Sequence, residues 1–298
     1  MLCERLSALP VRRREQRARR FDLTTVGRMS DKVLTRLLVP FGTNFSFTHR
    51  NANEDFGWDK TLAARETAEL IAKIDALQFT LVAQNQQSLL VVLQAIDAAG
   101  KDGTIRNVFG PLSSAGVHVT SFKVPAGSER QHDYLWRVHA RAPMRGEIGV
   151  WNRSHYEDVL IVRVKDLVPK ERWEKRYRHI REFERMLTDE GTHIVKINLH
   201  VSKEEQRIRL QSRVDDPNKR WKFRAGDLDD RKLWPQLMKA YEVAFSETST
   251  EYAPWFVVPA DRKWVRDLCV ARIVHDALVA MHPVLPPDDP TMAGTVVV

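Results

Sequence analysis

Asp97, Gly100, Lys101, Gly103 and Thr104 crowd into one short stretch, Leu93-Gln-Ala-Ile-Asp97-Ala-Ala-Gly100-Lys101-Asp-Gly103-Thr104-Ile-Arg106. A glycine turn followed by a lysine at the start of a helix is a way to hold phosphate. Backbone N–H groups and the helix N-terminus face the anion, and the lysine adds a point charge. Against the pattern G-x-x-x-x-G-K-[ST], Gly100 and Lys101 match. Ala95 replaces the first glycine, and Asp102 replaces the hydroxyl that normally binds magnesium. The metal ligand must then come from elsewhere, and Asp97, inside the loop, is the candidate. The plainer reading is a strand–turn–helix corner in which Gly100 only permits the turn. The acid in the loop, with Gly103 and Thr104, favours phosphate.

Two further segments carry suitable chemistry. In Glu147-Ile-Gly-Val-Trp151-Asn152-Arg153-Ser154-His155-Tyr156-Glu157-Asp158 a strand ends in a polar residue, where nucleotide kinases place a second metal-organising group. Asn152 stands there instead of the usual aspartate, and Arg153 is placed to reach a phosphate. Ser154 and Glu157 have capping-box spacing, so Glu157 reads as a helix cap or a site carboxylate. His155 reads as a surface residue at a helix start. In Arg207-Ile-Arg-Leu-Gln-Ser-Arg213-Val-Asp-Asp-Pro217-Asn-Lys219-Arg220-Trp221-Lys222-Phe223, cations interrupted by a proline and aromatics suggest a mobile lid over anionic substrates. A solvated charged loop is the alternative.

These segments need elements to position them. Ser88-Leu-Leu-Val-Val-Leu-Gln94 is a continuous apolar run of strand length, as expected of a parallel strand covered on both faces. Before it, Leu70, Ile74, Leu77 and Leu81 recur at helical spacing, and 40–60 reads as irregular. After it the signals alternate. Strands are expected at 117–124, 147–151, 193–199 and 255–258, and helices at 129–139, 154–164, 170–190, 229–245 and 261–281. Gly191 stops the long 170–190 helix, and Ser202 with Glu205 forms a capping box for the one that follows 193–199. Repeated strand–helix alternation predicts an α/β chain with a parallel sheet and helices on both faces.

At 298 residues, 43% of them hydrophobic, the chain is long enough to bury a proper core. Residues 1–20 carry seven arginines against two glutamates, a net +5 that leaves +3 of the total +8 for everything else. Residues 1–28 therefore read as a disordered basic leader, with Met29 an alternative start. The organisation expected is a catalytic domain over 29–282 with its lid at about 207–227, then a loose Pro-rich tail, 283–298. Cys3 and Cys269, at opposite ends, suit a reducing, cytoplasmic setting. There is no membrane-spanning run and no secretory signal. A basic nucleic-acid-binding protein is the competing class, disfavoured by the weakly charged body, and no nucleic-acid partner is expected.

Together the strings QAIDAAGKDGTIRNVF, VTSFKVP, GEIGVWNRSHYEDVLIVRV, DDPNKRWKF and TSTEYAPWFVVPADRKW resemble the type-2 polyphosphate kinase family, from about Phe41 to Met281. The resemblance implies a three-layer P-loop kinase fold with a helical lid. It implies Mg2+-dependent phosphoryl transfer between inorganic polyphosphate and AMP, ADP or ATP, and a homo-oligomer. It assigns Asp97 and Lys101 as the catalytic loop pair, with Asp97 on the metal, Arg153 as the phosphate-binding arginine, and Arg213 and Lys222 as lid contacts. Gly100, Gly103, Thr104, Arg106, Asn152 and Glu157 complete the phosphate- and nucleotide-binding set. The RSHYED form, with Glu157, is similar to the branch acting on both AMP and ADP. An ATP-dependent nucleoside monophosphate kinase is the alternative within the same fold, against which Ala95 and Asp102 argue. The segment 110–116 is atypical in detail.

Overall fold

The computed structural model describes residues 32–297, so the expectations for the basic leader and for Met29 lie outside the described residues. Five strands form one sheet in the order β2-β3-β1-β4-β5. They are β1 (Ser88–Gln94), β2 (Val117–Ser121), β3 (Ile148–Asn152), β4 (Thr192–His200) and β5 (Trp255–Pro259). All four pairings are parallel, with Leu93 of β1 opposite Asn152 of β3 and Ile197 of β4. Every residue of β1 is buried, as its continuous apolarity requires of a strand covered on both faces. The exposed edge strand β2 stops at Ser121, short of the expected end at 124.

Helices α1 (Lys32–Leu37) and α2 (Lys60–Gln84) precede the sheet, and the single turn α3 (Lys101–Thr104) follows β1. Then come α4 (Arg176–Asp189), α5 (Lys203–Asp215), α6 (Gly226–Lys232), α7 (Trp234–Thr248) and α8 (Lys263–Met281). Helices α2 and α8 pack on each other over one face, while α4 and α7 pack together beside β4. The Asp59 side chain caps α2 by accepting from the Thr61 and Leu62 N–H groups, and Asn85 ends it in the left-handed region at φ 49°. Leu70, Ile74 and Leu81 are buried there, as their spacing predicts.

Several expected helices are broken, most of them for a local reason. The 129–139 segment is two short turns, Gly127–Gln131 and Trp136–His139. Asp133 accepts from the Leu135 and Trp136 N–H groups and so starts a fresh turn. The 154–164 segment divides into a 3-10 turn, His155–Asp158, and Ile161–Val164. The 170–190 helix divides at Glu174–Lys175, where Arg176 reaches back to Asp158 at 2.8 Å. The helix expected over 229–245 is split at Leu233, because Pro235 is tolerated only in the first turn of α7. Only half of the Ser202 capping box forms. Its hydroxyl accepts from the Glu205 N–H, but the Glu205 carboxylate turns to Arg209 at 2.8 Å.

Candidate active site

In a parallel sheet of this kind the ligand crevice lies beyond the carboxyl ends of the strands. There β1 runs into Asp97 and the Gly100 turn, and β3 runs into Asn152 and Arg153. Ala98 and Gly100 both take positive φ, 65° and 115°. A side chain at Gly100 would overlap Arg266 Nη1, so the turn demands glycine for both conformation and space. Arg209 holds the loop from behind, donating to the carbonyls of Ala98 (3.2 Å) and Ala99 (2.7 Å) and to those of Ala260 and Asp261. Gln206 donates to the Asp97 carbonyl at 2.9 Å.

The catalytic candidates converge. Arg153 Nη2 donates to Asp97 Oδ1 at 2.5 Å, and Arg153 Nη1 lies 3.9 Å from Glu157 Oε2. Lys101 is buried, with its ammonium donating to the Ala95 carbonyl at 2.8 Å. Burial pushes that ammonium down to about 8, and the nearby Arg153 charge adds to the push. Burial works to raise the Asp97 carboxyl, but Lys101 and Arg153 outweigh it and hold the group below the usual carboxylate range. The Arg153 guanidinium stays firmly protonated: the carboxylates Glu157 and Asp97 override the opposing effect of burial.

The other sequence-derived candidates are placed less uniformly. Asn152 donates to Asp102 Oδ1 at 2.9 Å and so ties the strand end to the loop. Gly103 lies against Arg266, while Thr104 is fully buried with its hydroxyl unpartnered among the described residues. Arg106 is exposed on the turn behind the loop. Glu157 is not a helix cap: the Ser154 hydroxyl caps the turn alone by accepting from the Tyr156 N–H, and the Glu157 carboxylate faces Arg153. The assignment of the buried Gln94 amide that satisfies its neighbours has its nitrogen donating to Glu157 Oε1 at 3.1 Å and its oxygen accepting from Ser154. His155 is no surface residue; it is 1% exposed.

In the 207–227 segment, Arg213 is drawn to the buried Asp227 at 3.7 Å and to the Lys222 carbonyl at 3.4 Å. Lys222 is exposed, its ammonium over the Trp221 ring at 5.1 Å. Neither is bonded to the phosphate loop. Arg224 is a cation of this segment whose charge lowers the Asp97 carboxyl, and Sequence reasoning missed it together with Asp227, Gln206 and Arg209. Their type and spacing resemble any polar helix surface, and only their nearness in space to Asp97 and its loop marks them. A separate cavity of about 470 Å3, lined in part by Arg36, Phe45 and Arg50, lies at the outer edge of β5 and contains none of these residues.

Among the described residues no three His, Cys, Asp or Glu side chains come together as a metal cage. That donor set still fits magnesium, which keeps several waters and takes only one or two carboxylates beside its substrate phosphates. Asp97 Oδ1 accepts from Arg153, while Oδ2 has no hydrogen-bond donor among the described residues. No helix among them is long and apolar enough to cross a membrane.

Comparison with known proteins agrees with this geometry. The family described as Polyphosphate kinase 2 (PPK2) matches residues 57–285. The AMP/ADP-polyphosphate phosphotransferase of Meiothermus ruber is 57% identical over 223 residues, 75% of this chain and 84% of that protein. The ADP-polyphosphate phosphotransferase of Rhodopseudomonas palustris is 45% identical over 232 residues, 74% of this chain and 80% of that one. The crystal structure of Polyphosphate Kinase 2 from Arthrobacter aurescens TC1 superposes with a TM-score of 0.82 at 41% identity, over 85% of this chain and 91% of that one.

Proposed function

The chain belongs to the polyphosphate kinase 2 family, with its P-loop kinase fold, and from that premise we propose that Asp97, Lys101 and Arg153 carry phosphoryl transfer between polyphosphate and adenine nucleotides. It is a polyphosphate:nucleotide phosphotransferase. The observation that carries the residue assignment is the Asp97–Arg153 contact of 2.5 Å, at the mouth of the Gly100 turn and beside Lys101.

The acceptor phosphate is already ionised at neutral pH, so no strong general base is needed. The barrier lies in bringing two polyanions end to end. Positioning and charge neutralisation around a loose transition state then do most of the work. Lys101 and the loop N–H groups hold the transferring group, and Arg153 spans the gap toward the acceptor. A magnesium ion, held by Asp97, would neutralise phosphate oxygens and orient them. The lid cations Arg213 and Lys222 would add positive charge beside the polyphosphate chain and help exclude water from it. One phosphoanhydride replaces another, so the reaction runs in both directions. The test is to mix pure protein, magnesium, AMP and polyphosphate and follow ADP and ATP. Formation of neither product overturns the reading.

Glu157 sets the acceptor. Its carboxylate is held between Arg153 and Gln94, and we infer that it retains a hydrated cation that completes the site for the shorter acceptor. Glu157→Asn therefore loses AMP phosphorylation more severely than ADP phosphorylation, read as kcat/KM for each at fixed polyphosphate. The turn survives, because Ser154 is its cap. Equal losses for the two acceptors would refute this role.

Arg213→Ala and Lys222→Ala each raise the KM for polyphosphate most at low salt, and the defect shrinks as ionic strength rises. Charges within reach of solvent act over a Debye length of about 8 Å at physiological salt, and added ions screen what the variant has already lost. A defect of the same size at every salt concentration would instead mark these side chains as structural.

A further inference from the structure

Behind Arg153 lies a buried polar cluster for which the transfer chemistry has no direct use. The Lys196 ammonium of β4 donates to Glu184 Oε2 (2.6 Å), to the Tyr156 hydroxyl (2.9 Å) and to the Thr248 carbonyl (2.7 Å). The Tyr156 hydroxyl donates in turn to Glu184 Oε1 at 2.8 Å, and His155 Nε2 lies 3.4 Å from that same oxygen. Lys196 and Tyr156 are 0% exposed, and His155 and Glu184 are 1% exposed. Every proton of the ammonium has an acceptor, and both oxygens of the carboxylate are engaged. Desolvating such a pair costs several kcal/mol per ion, so a buried ion pair is weak grounds for stability and calls for another explanation.

The explanation is in the backbone between the cluster and the loop. Arg153 has φ 63°, the left-handed region that a non-glycine residue enters only at an energetic cost. Such a conformation persists only where its surroundings over-determine it. On one side Arg153 N–H donates to the Leu93 carbonyl at 3.0 Å, which ties it to β1. On the other side Ser154 is extended, and the next two residues, His155 and Tyr156, plunge into the cluster. Glu157 then returns to the site, beside Arg153. The two site residues thus sit on either side of a buried anchor, and that anchor is bonded to α4, β4 and the end of α7.

We propose that the Glu184–Lys196 pair, acting through Tyr156 and His155, is a positioning device that holds the strained Arg153 turn and so presents Arg153 and Glu157 to the reacting phosphates. These residues touch no substrate; they are positioning residues, and the inference rests on the assignment of Arg153 under Proposed function.

Tyr156→Phe removes only the bridging hydroxyl and keeps the ring. Lys196 retains Glu184 and the Thr248 carbonyl, so the variant folds. A loosened turn lowers kcat about tenfold with KM nearly unchanged, since a displacement on the order of 1 Å in a reacting group has effects of this size or larger. The double variant Glu184→Leu/Lys196→Met replaces the pair by apolar side chains of similar volume, a change often neutral or better for stability. It shows the same kcat loss, with a melting temperature lowered only by the Tyr156 hydroxyl and Thr248 carbonyl that the pair no longer satisfies. In an Arg153→Lys background the Tyr156→Phe loss largely disappears, because the group being positioned has already been changed. A merely structural role would add in full.

Wild-type kcat in Tyr156→Phe, or full additivity with Arg153→Lys, overturns the proposal; if the double variant does not fold, these two measurements decide. Arg153→Ala separates the two levels of inference. Full activity in Arg153→Ala would defeat the site assignment itself, whereas an inactive Arg153→Ala beside a fully active Tyr156→Phe defeats only the positioning role.

Discussion

Lys101→Ala lowers kcat/KM about a hundred- to a thousandfold, the range expected when one preorganised charge on the transferring group is lost from a site shielded from water. The fold survives. Lys101 is buried, and its ammonium satisfies the Ala95 carbonyl, which the substitution leaves without that donor. That loss is offset by removing a charge whose burial the fold disfavours, so the melting temperature changes little. The position of this lysine also gives a pH signature. With the ammonium pushed down to about 8, the free enzyme holds it charged below that pH and loses the charge above it. As a result kcat/KM for polyphosphate declines as pH rises through about 8, and Lys101→Ala abolishes that limb. A variant that keeps more than about a tenth of wild-type kcat/KM, a loss under ~1.4 kcal/mol, would contradict the assignment.

Asp97→Asn produces the second large loss, more than about tenfold in kcat, or above ~1.4 kcal/mol. The amide keeps the shape of the carboxylate but removes two functions at once. It no longer neutralises Arg153, whose guanidinium sits 2.5 Å away, and it is a poor ligand for a hard divalent cation. The residual activity of Asp97→Asn should need far more magnesium than wild type to saturate, and a magnesium titration of both proteins measures this. Stability responds as well. Asp97 is held below the usual carboxylate range, so its charge favours the folded state above the ordinary carboxylate range, and that contribution is lost as pH falls through its lowered folded value. Identical magnesium dependence in the two proteins would assign Asp97 to holding Arg153 alone.

Much of the architecture was legible in the residues. Ser88–Gln94 reads as a doubly covered strand because an unbroken apolar run is stable in only a few environments, and the structure buries all of it. The Gly100 turn was readable because positive φ next to close packing leaves glycine as the one residue that fits. The helices least well bounded, 129–139 and 229–245, are those in which one residue, Asp133 or Pro235, restarts the chain with its own local bonding.

The sequence by itself determined the alternation of strands and helices, the glycine turn after β1 and the arginine after β3, because each is set by neighbours a few residues apart. Only the tertiary structure decided which polar groups are buried and with whom. Glu157 passes for a helix cap until its carboxylate is seen facing Arg153. His155 passes for a surface residue until Glu184, 29 positions away, closes over it, and Lys196 is an ordinary strand lysine until Tyr156, 40 positions away, meets its ammonium. Local spacing cannot encode such partners, since burying a charge is tolerable only when distant segments supply its counter-charge at hydrogen-bond distance.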